Sequence, residues 1–351
     1  MNRAWIIGTG LIGGSIGMAL KSKGWHVSGS DIDSQIPPRA IERGALDFSG
    51  SDPTADIVFV AVPASKVIGV VLEALQVAQS AVVTDVAGVK SMVASAISDP
   101  RFVGGHPLAG SEKDGIDGAD PALFEGRAWV LTPSSDTDPQ AYATAHGVIT
   151  DLGARVLAMS ASRHDSLVAL VSHLPHLLAA TLMTMAGEGA EESAEILYLA
   201  AGGFRDMTRV ASGEPGIWPD VCVENSQAII EVLGDLASRV SSLKLMLNSG
   251  DRGSILELLQ DARRARSQLP TGTGKPEELA EVTVPIKDRP GALAEVTTLA
   301  AQLGINIEDV SISQSSPGSG GLLVMVVDKH CSGRLIGELE KRSFAPREET
   351  R

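Results

Sequence analysis

The chain reads as a doubly wound α/β domain, then an all-α domain, then a small α+β module, and three observations carry that expectation. From Arg3 to about Met159, short β-rich apolar runs alternate with helical stretches. After Ser160 the strands stop, and Leu and Ala recur at helical spacing. Beyond a Pro/Gly/Thr-rich segment at 269–278, strand-like runs return. Continuous apolar strands separated by helices belong to a mainly parallel sheet covered on both faces.

In order, strands are expected at Ala4–Gly8, Val27–Asp31, Ile57–Val62, Ala81–Asp85, Phe102–Gly104, Ala128–Thr132 and Arg155–Met159. Leu167–Ala186, Glu191–Ala201, Trp218–Leu247 and Ile255–Ser267 carry the period of amphipathic helices. Their Ala- and Leu-rich faces suit packing against a second copy of the chain, with closure onto the α/β domain alone as the alternative. Leu269-Pro270-Thr271-Gly272-Thr273-Gly274-Lys275-Pro276-Glu277 is a hinge by composition. The last module is expected to run strand Leu279–Ile286, helix Gly291–Leu303, strands Asn306–Gln314 and Gly321–Asp328, and a helix over Gly333–Lys341. That is a βαββα, ferredoxin-like order with a biased tip at Ser315–Gly320, and no internal repeat is found.

Composition bounds the function. Of 351 residues, 44% are apolar and 21% charged, as in ordinary globular proteins. A net charge of −14 argues against a nucleic-acid partner, whose phosphates such a field repels. An anionic ligand would therefore need a locally positive site. Cys222 and Cys331 are too few for a disulfide framework or a four-Cys zinc site and fit a reducing compartment. No signal region and no apolar run of membrane-spanning length is read, so the expectation is a cytoplasmic chain with no membrane partner.

Gly8-Thr9-Gly10-Leu11-Ile12-Gly13 follows the first strand and opens a helix. Gly8 makes the turn, Gly10 lets a pyrophosphate approach the backbone, and Gly13 lets helix and strand pack closely. Asp31 ends the second strand, 18 residues beyond Gly13, where a carboxylate binds a ribose 2′-hydroxyl and repels a 2′-phosphate. The first domain is thus an α/β Rossmann domain for NAD in preference to NADP, although Arg39 and Arg43 stand near enough to help a phosphate. Val62, Pro63 and Asp85, at the ends of the next two strands, complete the expected cofactor surface.

His106 sits in Gly104-Gly105-His106-Pro107, flanked by turn-forming residues. A neutral imidazole there suits the abstraction of a hydroxyl proton as hydride leaves the same carbon. His173 and His176 lie three apart around Pro175, which would kink their helix, and His176 is the stronger candidate for substrate contact. A metal there would need further ligands, and none is expected. His164 reads equally as a helix-start residue or a site residue. Arg205 and Arg209 lie one helical turn apart, with Asp206 placed to brace Arg209, and arginine suits a planar carboxylate.

Together Gly8–Gly13, Asp85-Val86-Ala87-Gly88-Val89-Lys90, Gly105-His106-Pro107-Leu108-Ala109-Gly110-Ser111-Glu112, Ser172-His173-Leu174-Pro175-His176 and Gly203-Phe204-Arg205-Asp206-Met207-Thr208-Arg209 resemble the prephenate dehydrogenase family over the first 265 residues or so. The resemblance implies NAD-dependent oxidative decarboxylation of prephenate to 4-hydroxyphenylpyruvate in tyrosine biosynthesis. It places His106 on the ring hydroxyl and Arg209 on the ring carboxylate, with Ser111, Glu112, His176, Arg205 and Asp206 lining the substrate. One departure stands out: Gly88 occupies a position where many members carry Ser. Arogenate is the alternative substrate. A different hydroxy-acid dehydrogenase and a non-catalytic NAD and amino-acid sensor are the remaining readings.

The C-terminal module resembles an ACT domain through Asp288-Arg289-Pro290-Gly291-Ala292-Leu293 and Gly304-Ile305-Asn306-Ile307. By analogy this implies an aromatic amino-acid effector, tyrosine foremost, held at Asp288, Arg289, Pro290, Gly291, Ala292 and Asn306. The domain expectation is residues 1–160 for the NAD-binding Rossmann domain and 161–268 for an all-α dimerisation and substrate domain. A linker follows at 269–278, then an ACT domain at 279–345, the whole forming a homodimer.

Overall fold

The computed structural model describes residues 2–349 apart from 112, 114, 214, 270–278, 287–288 and 315–320. The expected hinge, the expected tip, and the candidate residues Glu112 and Asp288 lie outside the described residues. Two compact units divide at residue 240.

In the first unit, strands β1 (Arg3–Ile7), β2 (His26–Ser30), β3 (Phe48–Ser49), β4 (Ile57–Val60), β5 (Val82–Asp85), β6 (Phe102–Pro107), β7 (Ala128–Thr132) and β8 (Arg155–Ala158) form one sheet. Their order is β3-β2-β1-β4-β5-β6-β7-β8. Every described pairing is parallel except β6 with β7, which is antiparallel and sets His106 opposite Val130. All four residues of β4 are fully buried because helices cover both faces of the sheet. Each such aliphatic side chain contributes about 1.5–3 kcal/mol by leaving water. One apolar cluster gathers Ile6, Ile16, Leu20, Phe59 and Trp129, and the other gathers Val58, Val60, Val71, Val83 and Val93. The short β3 escapes the sequence pattern because two exposed residues have no apolar alternation to show.

The helices on this sheet are α1 (Leu11–Ser22), α2 (Ile36–Glu42), α3 (Ala64–Val77), α4 (Ser91–Ala96) and α5 (Pro139–Asp151). From Ala161 onward the first unit is helical: α6 (Ala161–Val168), α7 (Leu174–Glu192), α8 (Glu195–Leu199), α9 (Gly202–Thr208), α10 (Trp218–Glu224) and the first part of α11 (Ser226–Ser249), which runs past the division at residue 240. The break expected at Pro175 appears as a π-helical stretch, Ala169–His173, between α6 and α7. Proline has no N–H to return to the turn below it, and widening that turn absorbs the defect. The single helix expected over Trp218–Leu247 is broken at Asn225, which leaves helical geometry between α10 and α11. Of the 24 residues of α11 only Ile229 is buried, while Ile230, Val240, Leu245 and Leu247 are exposed.

Ala161–Glu192 also corrects an expectation. This 32-residue helical stretch reaches a mean hydropathy of 1.6 and is long and apolar enough to cross a membrane by length and composition. Its charged start, Arg163-His164-Asp165, hid that length in the sequence. His164, Asp165 and His173 on it are buried among protein partners, while 28% of its most apolar window is buried.

The second unit contains α12 (Arg252–Ser267) and a four-stranded antiparallel sheet of β9 (Leu279–Ile286), β10 (Ile307–Gln314), β11 (Gly321–Asp328) and β12 (Arg347–Glu349), ordered β10-β11-β9-β12. Helices α13 (Ala292–Gln302) and α14 (Lys329–Lys341) cover it, with Val284, Val296, Leu299, Met325, Leu335 and Leu339 in the core. Helix α14 starts earlier than expected because the Asp328 side chain caps the His330 N–H at 2.8 Å. β12 is a charged Arg-Glu-Glu run that only its pairing with β9 reveals. Gly291 caps α13 at φ 86° with open space around it. Arg289 forms a two-pronged pair with Glu295 at 2.7 and 2.9 Å, Asn306 donates to Glu308 at 2.7 Å, Pro290 is exposed and Ala292 is buried.

Candidate active site

The crevice beyond β1 is shaped by what its glycines lack. Gly8 holds φ +88°, and a Cβ there would collide with the Ala61 carbonyl. A Cβ on Gly13 would collide with the Gly8 carbonyl, whereas Gly10 faces space with nothing within 4 Å. No side chain caps the start of α1, so its first N–H groups, including those of Leu11 and Ile12, are left for an anionic ligand. Val62 borders the Gly8 turn and Pro63 caps α3. The Asp31 carboxylate accepts from the Thr9 N–H at 2.8 Å and from the Asp33 N–H at 3.1 Å, so it braces the glycine turn from the ribose position. These residues fit a dinucleotide. Arg39 and Arg43 do not stand ready for a phosphate: Arg39 pairs with the Asp117 carboxylate and Arg43 donates to the Asp117 carbonyl, both at 2.6 Å.

Asp85 does not face the cofactor as expected. It is fully buried and receives the Ala87 N–H and Gly105 N–H, each at 3.0 Å, together with the Lys90 ammonium. Lys90 also donates to the Gly105 carbonyl at 2.8 Å, and this buried pair clamps the end of β5 to the end of β6. Burial pulls the Lys90 amine below its ordinary pKa and Asp85 opposes that pull.

His106 lies within β6, not on the loop that the short expected strand implied. Its Nδ1 is 2.8 Å from Nε2 of His164, and Nδ1 of His164 is 2.8 Å from Oδ1 of Asp165. Asp165 receives the Lys90 N–H at 2.8 Å and the Ser91 N–H at 2.7 Å. Burial would raise the Asp165 pKa, but hydrogen bonds from His164, Ser91 and Lys90 outweigh it and hold the carboxyl below its usual range. Asn225, at the helix break, donates to the Asp165 carbonyl at 3.0 Å and sits 3.2 Å from Nδ1 of His173. On the other side of the His106 ring is Gly88: a Cβ there would stand 3.7 Å from Nε2 and 3.8 Å from Cε1, and would meet only this ring within 4 Å outside its chain neighbours. Burial, then His164, Lys90 and His173, push the His106 pKa well below 6.5, against Asp165.

Three residues beyond Pro107, Gly110 and Ser111 line a cavity of about 1200 Å³ with His176, Arg209, Ser212, Gly213 and Trp218. His176 stacks on Trp218 at 3.6 Å with the rings 11° apart, and His173 meets the same indole edge-on at 6.1 Å. Burial lowers the His176 pKa, which favours the neutral ring. The arginines are separated. Helix α9 ends at Thr208, and a tighter 3₁₀ turn over Arg209–Ser212 carries Arg209 to the cavity. Arg205 instead donates to the Ala200 carbonyl at 3.1 Å, is not among the lining residues, and among the described residues Asp206 makes no ion pair with Arg209. Sequence reasoning missed Asp165, Lys90, Asn225 and Trp218 as parts of this network and left His164 open. Adjacent His164-Asp165 at a helix start was the signal available.

A glycine-turn crevice beside a buried imidazole chain and a cation-bearing cavity defines an NAD-dependent dehydrogenase. Residues 16–158 match the nucleotide-binding domain of prephenate dehydrogenase, residues 160–261 its dimerization domain, and residues 281–335 the ACT domain. The chain is 30% identical to the prephenate dehydrogenase of Bacillus subtilis (strain 168) over 91% of its own length and 90% of that protein's. The chain belongs to the prephenate dehydrogenase family. Among solved structures it resembles Aquifex aeolicus prephenate dehydrogenase in complex with hydroxyphenyl propionate and NAD+, with 27% identity, TM-score 0.73, and 77% and 99% of the two chains covered. It also resembles Synechocystis arogenate dehydrogenase, with 31% identity, TM-score 0.67, and 76% and 99% covered.

Proposed function

We propose that the chain oxidises and decarboxylates prephenate to 4-hydroxyphenylpyruvate, acting in the cytoplasm as a homodimer. The observation that supports this best is His106, whose Nε2 faces the side-chain-free Gly88 while a cavity nearby carries Arg209 and His176. Bound NAD supplies the hydride acceptor. His106 takes the ring hydroxyl's proton as the carbon becomes a carbonyl. Loss of the ring carboxylate as carbon dioxide returns an electron pair to that oxygen, which takes the proton back as a phenol. Arg209 orients the leaving carboxylate and His176, stacked on Trp218, bounds the substrate. The exposed apolar faces of α11 support pairing with a second copy. The ACT module supports regulation by an amino acid.

The resemblance to an arogenate dehydrogenase supports a second reading, in which the substrate carries an amino group in place of the side-chain ketone. NADH formation measured with prephenate and with arogenate, each with NAD and with NADP, tests both. Turnover of prephenate with NAD is expected, and activity on neither substrate would sink the proposal.

A further inference from the structure

We infer that His164 and Asp165 act with His106 as a single proton store: the proton taken from the substrate hydroxyl moves through the His106 ring to His164, where Asp165 holds it until the product oxygen reclaims it. The inference rests on the proposed ring chemistry and concerns where its proton goes.

The hydrogen-bond inventory fixes the resting tautomers. An ionised Asp165 can only accept, so Nδ1 of His164, 2.8 Å from Oδ1, carries a proton. Nε2 of a neutral His164 is then an acceptor, and its 2.8 Å contact with Nδ1 of His106 requires the proton to sit on His106. That leaves Nε2 of His106 with a bare lone pair, on the side where Gly88 contributes no side chain. Ser91, a neighbouring hydroxyl, is engaged with Asp165. The orientation and tautomer of His106 are therefore set from its Nδ1 side.

The same chain supplies what His106 lacks as a lone base. The groups around it are Lys90 ahead of α4, with Asp85 of β5 on that lysine, His173 of the π-helical stretch, and His164 and Asp165 of α6. Burial and the cationic neighbours disfavour an imidazolium at position 106. At position 164 the charge would lie 2.8 Å from Asp165, a carboxylate held by two backbone N–H groups. When Nε2 of His106 gains the substrate proton, Nδ1 gives its own to Nε2 of His164. His106 is again neutral, His164 is cationic beside Asp165, and the reverse transfer delivers a proton to the phenolate. One proton enters and one leaves, so no exchange with solvent is needed. His164 and Asp165 are positioning residues acting through His106.

His164→Gln keeps an acceptor for the Nδ1 proton of His106 but cannot bind a proton itself. We expect kcat to fall roughly ten- to hundredfold, with KM for prephenate and Kd for NAD within about threefold of wild type. The sign of the pH effect follows from where the proton binds. With the stored proton resting at position 164, as inferred, loss of that site lowers the pH at which the remaining base is protonated, so the acid limb of kcat/KM moves to lower pH. Asp165→Asn should move it the same way, and His164→Ala with added imidazole should regain turnover. Wild-type kcat with an unmoved acid limb overturns the inference, as does a loss of kcat matched by an equal loss of NAD affinity. Independently of any variant, ring ¹⁵N shifts of the wild-type protein should show His106 protonated at Nδ1, and an Nε2–H tautomer overturns it. A wild type inactive on prephenate would sink the substrate proposal and leave that tautomer measurement standing.

Discussion

Gly88 and His106 are in contact distance across the site: the missing Cβ of one would lie 3.7 Å from Nε2 of the other and 3.8 Å from Cε1. A small side chain fits there, and a branched one would fill the space from which a hydroxyl reaches the imidazole. Gly88→Ser should therefore keep turnover within about tenfold of wild type, whereas Gly88→Val should lower kcat/KM by more than about a hundredfold with NAD affinity and thermal midpoint unchanged. Steady-state rates and a melting curve decide it. An active Val variant would mean that substrate approaches His106 from elsewhere.

His106→Asn should lower kcat by a factor of about 10² to 10⁴ with a modest effect on KM, the range for losing a general base. Asparagine retains a polar group on β6 but accepts no proton at neutral pH. Near wild-type turnover at pH 7 would remove His106 from the chemistry.

Arg209 lines the same cavity as His176 and Ser111, away from the glycine turn at Gly8–Gly13. Arg209→Gln should raise KM for prephenate about ten- to a hundredfold while Kd for NAD stays constant, since a charge-assisted pair to a carboxylate is lost. Fluorescence titration of NAD binding separates the readings. A parallel loss of NAD affinity would make the arginine structural.

Cofactor choice involves more than Asp31. Its carboxylate would repel a 2′-phosphate and holds the Thr9 N–H, while Asp117 occupies Arg39 and Arg43. Asp31→Ser alone should raise the NADP-to-NAD ratio of kcat/KM, and adding Asp117→Ala should raise it further by freeing the Arg39 guanidinium, while Arg43 keeps its bond to the residue 117 carbonyl. If the double variant shows the wild-type ratio, the ribose is read by other residues.

The parts legible in the sequence share one property: they are written in local pattern. The strands of the sheet other than β3, the glycine turn and the ββ-rich last module each follow from period and turn residues within a few positions. The helix break at Asn225 and the charged strand β12 depend on partners far along the chain. Asp85 illustrates the limit. Its place at the end of β5 suggested a ligand contact, yet the Lys90 ammonium and, from β6, the Gly105 N–H enclose it, which no spacing announces. His164 was visible as a residue but not as a partner, because 58 residues separate it from His106.

The ACT module should bind tyrosine where two copies of the module meet. Gly291 begins α13 in a left-handed conformation at φ 86°, no side chain caps the helix, and a Cβ at 291 would meet nothing within 4 Å. The 11-residue α13 thus opens with N–H groups suited to an amino acid's carboxylate. Asn306, now donating to Glu308, lies after the Gly304 turn that closes the same helix. Gly291→Val would force a β-branched residue into that left-handed conformation, at a cost of about 1–2 kcal/mol, and should disturb this helix start more than the rest of the module. Calorimetry on the full chain is expected to show tyrosine binding that Gly291→Val weakens, while dehydrogenase activity without tyrosine stays unchanged. A chain truncated after Gln268 should retain turnover and lose any response to tyrosine. Absence of heat with tyrosine, phenylalanine and tryptophan alike at millimolar concentration would mean that this module does not sense aromatic amino acids.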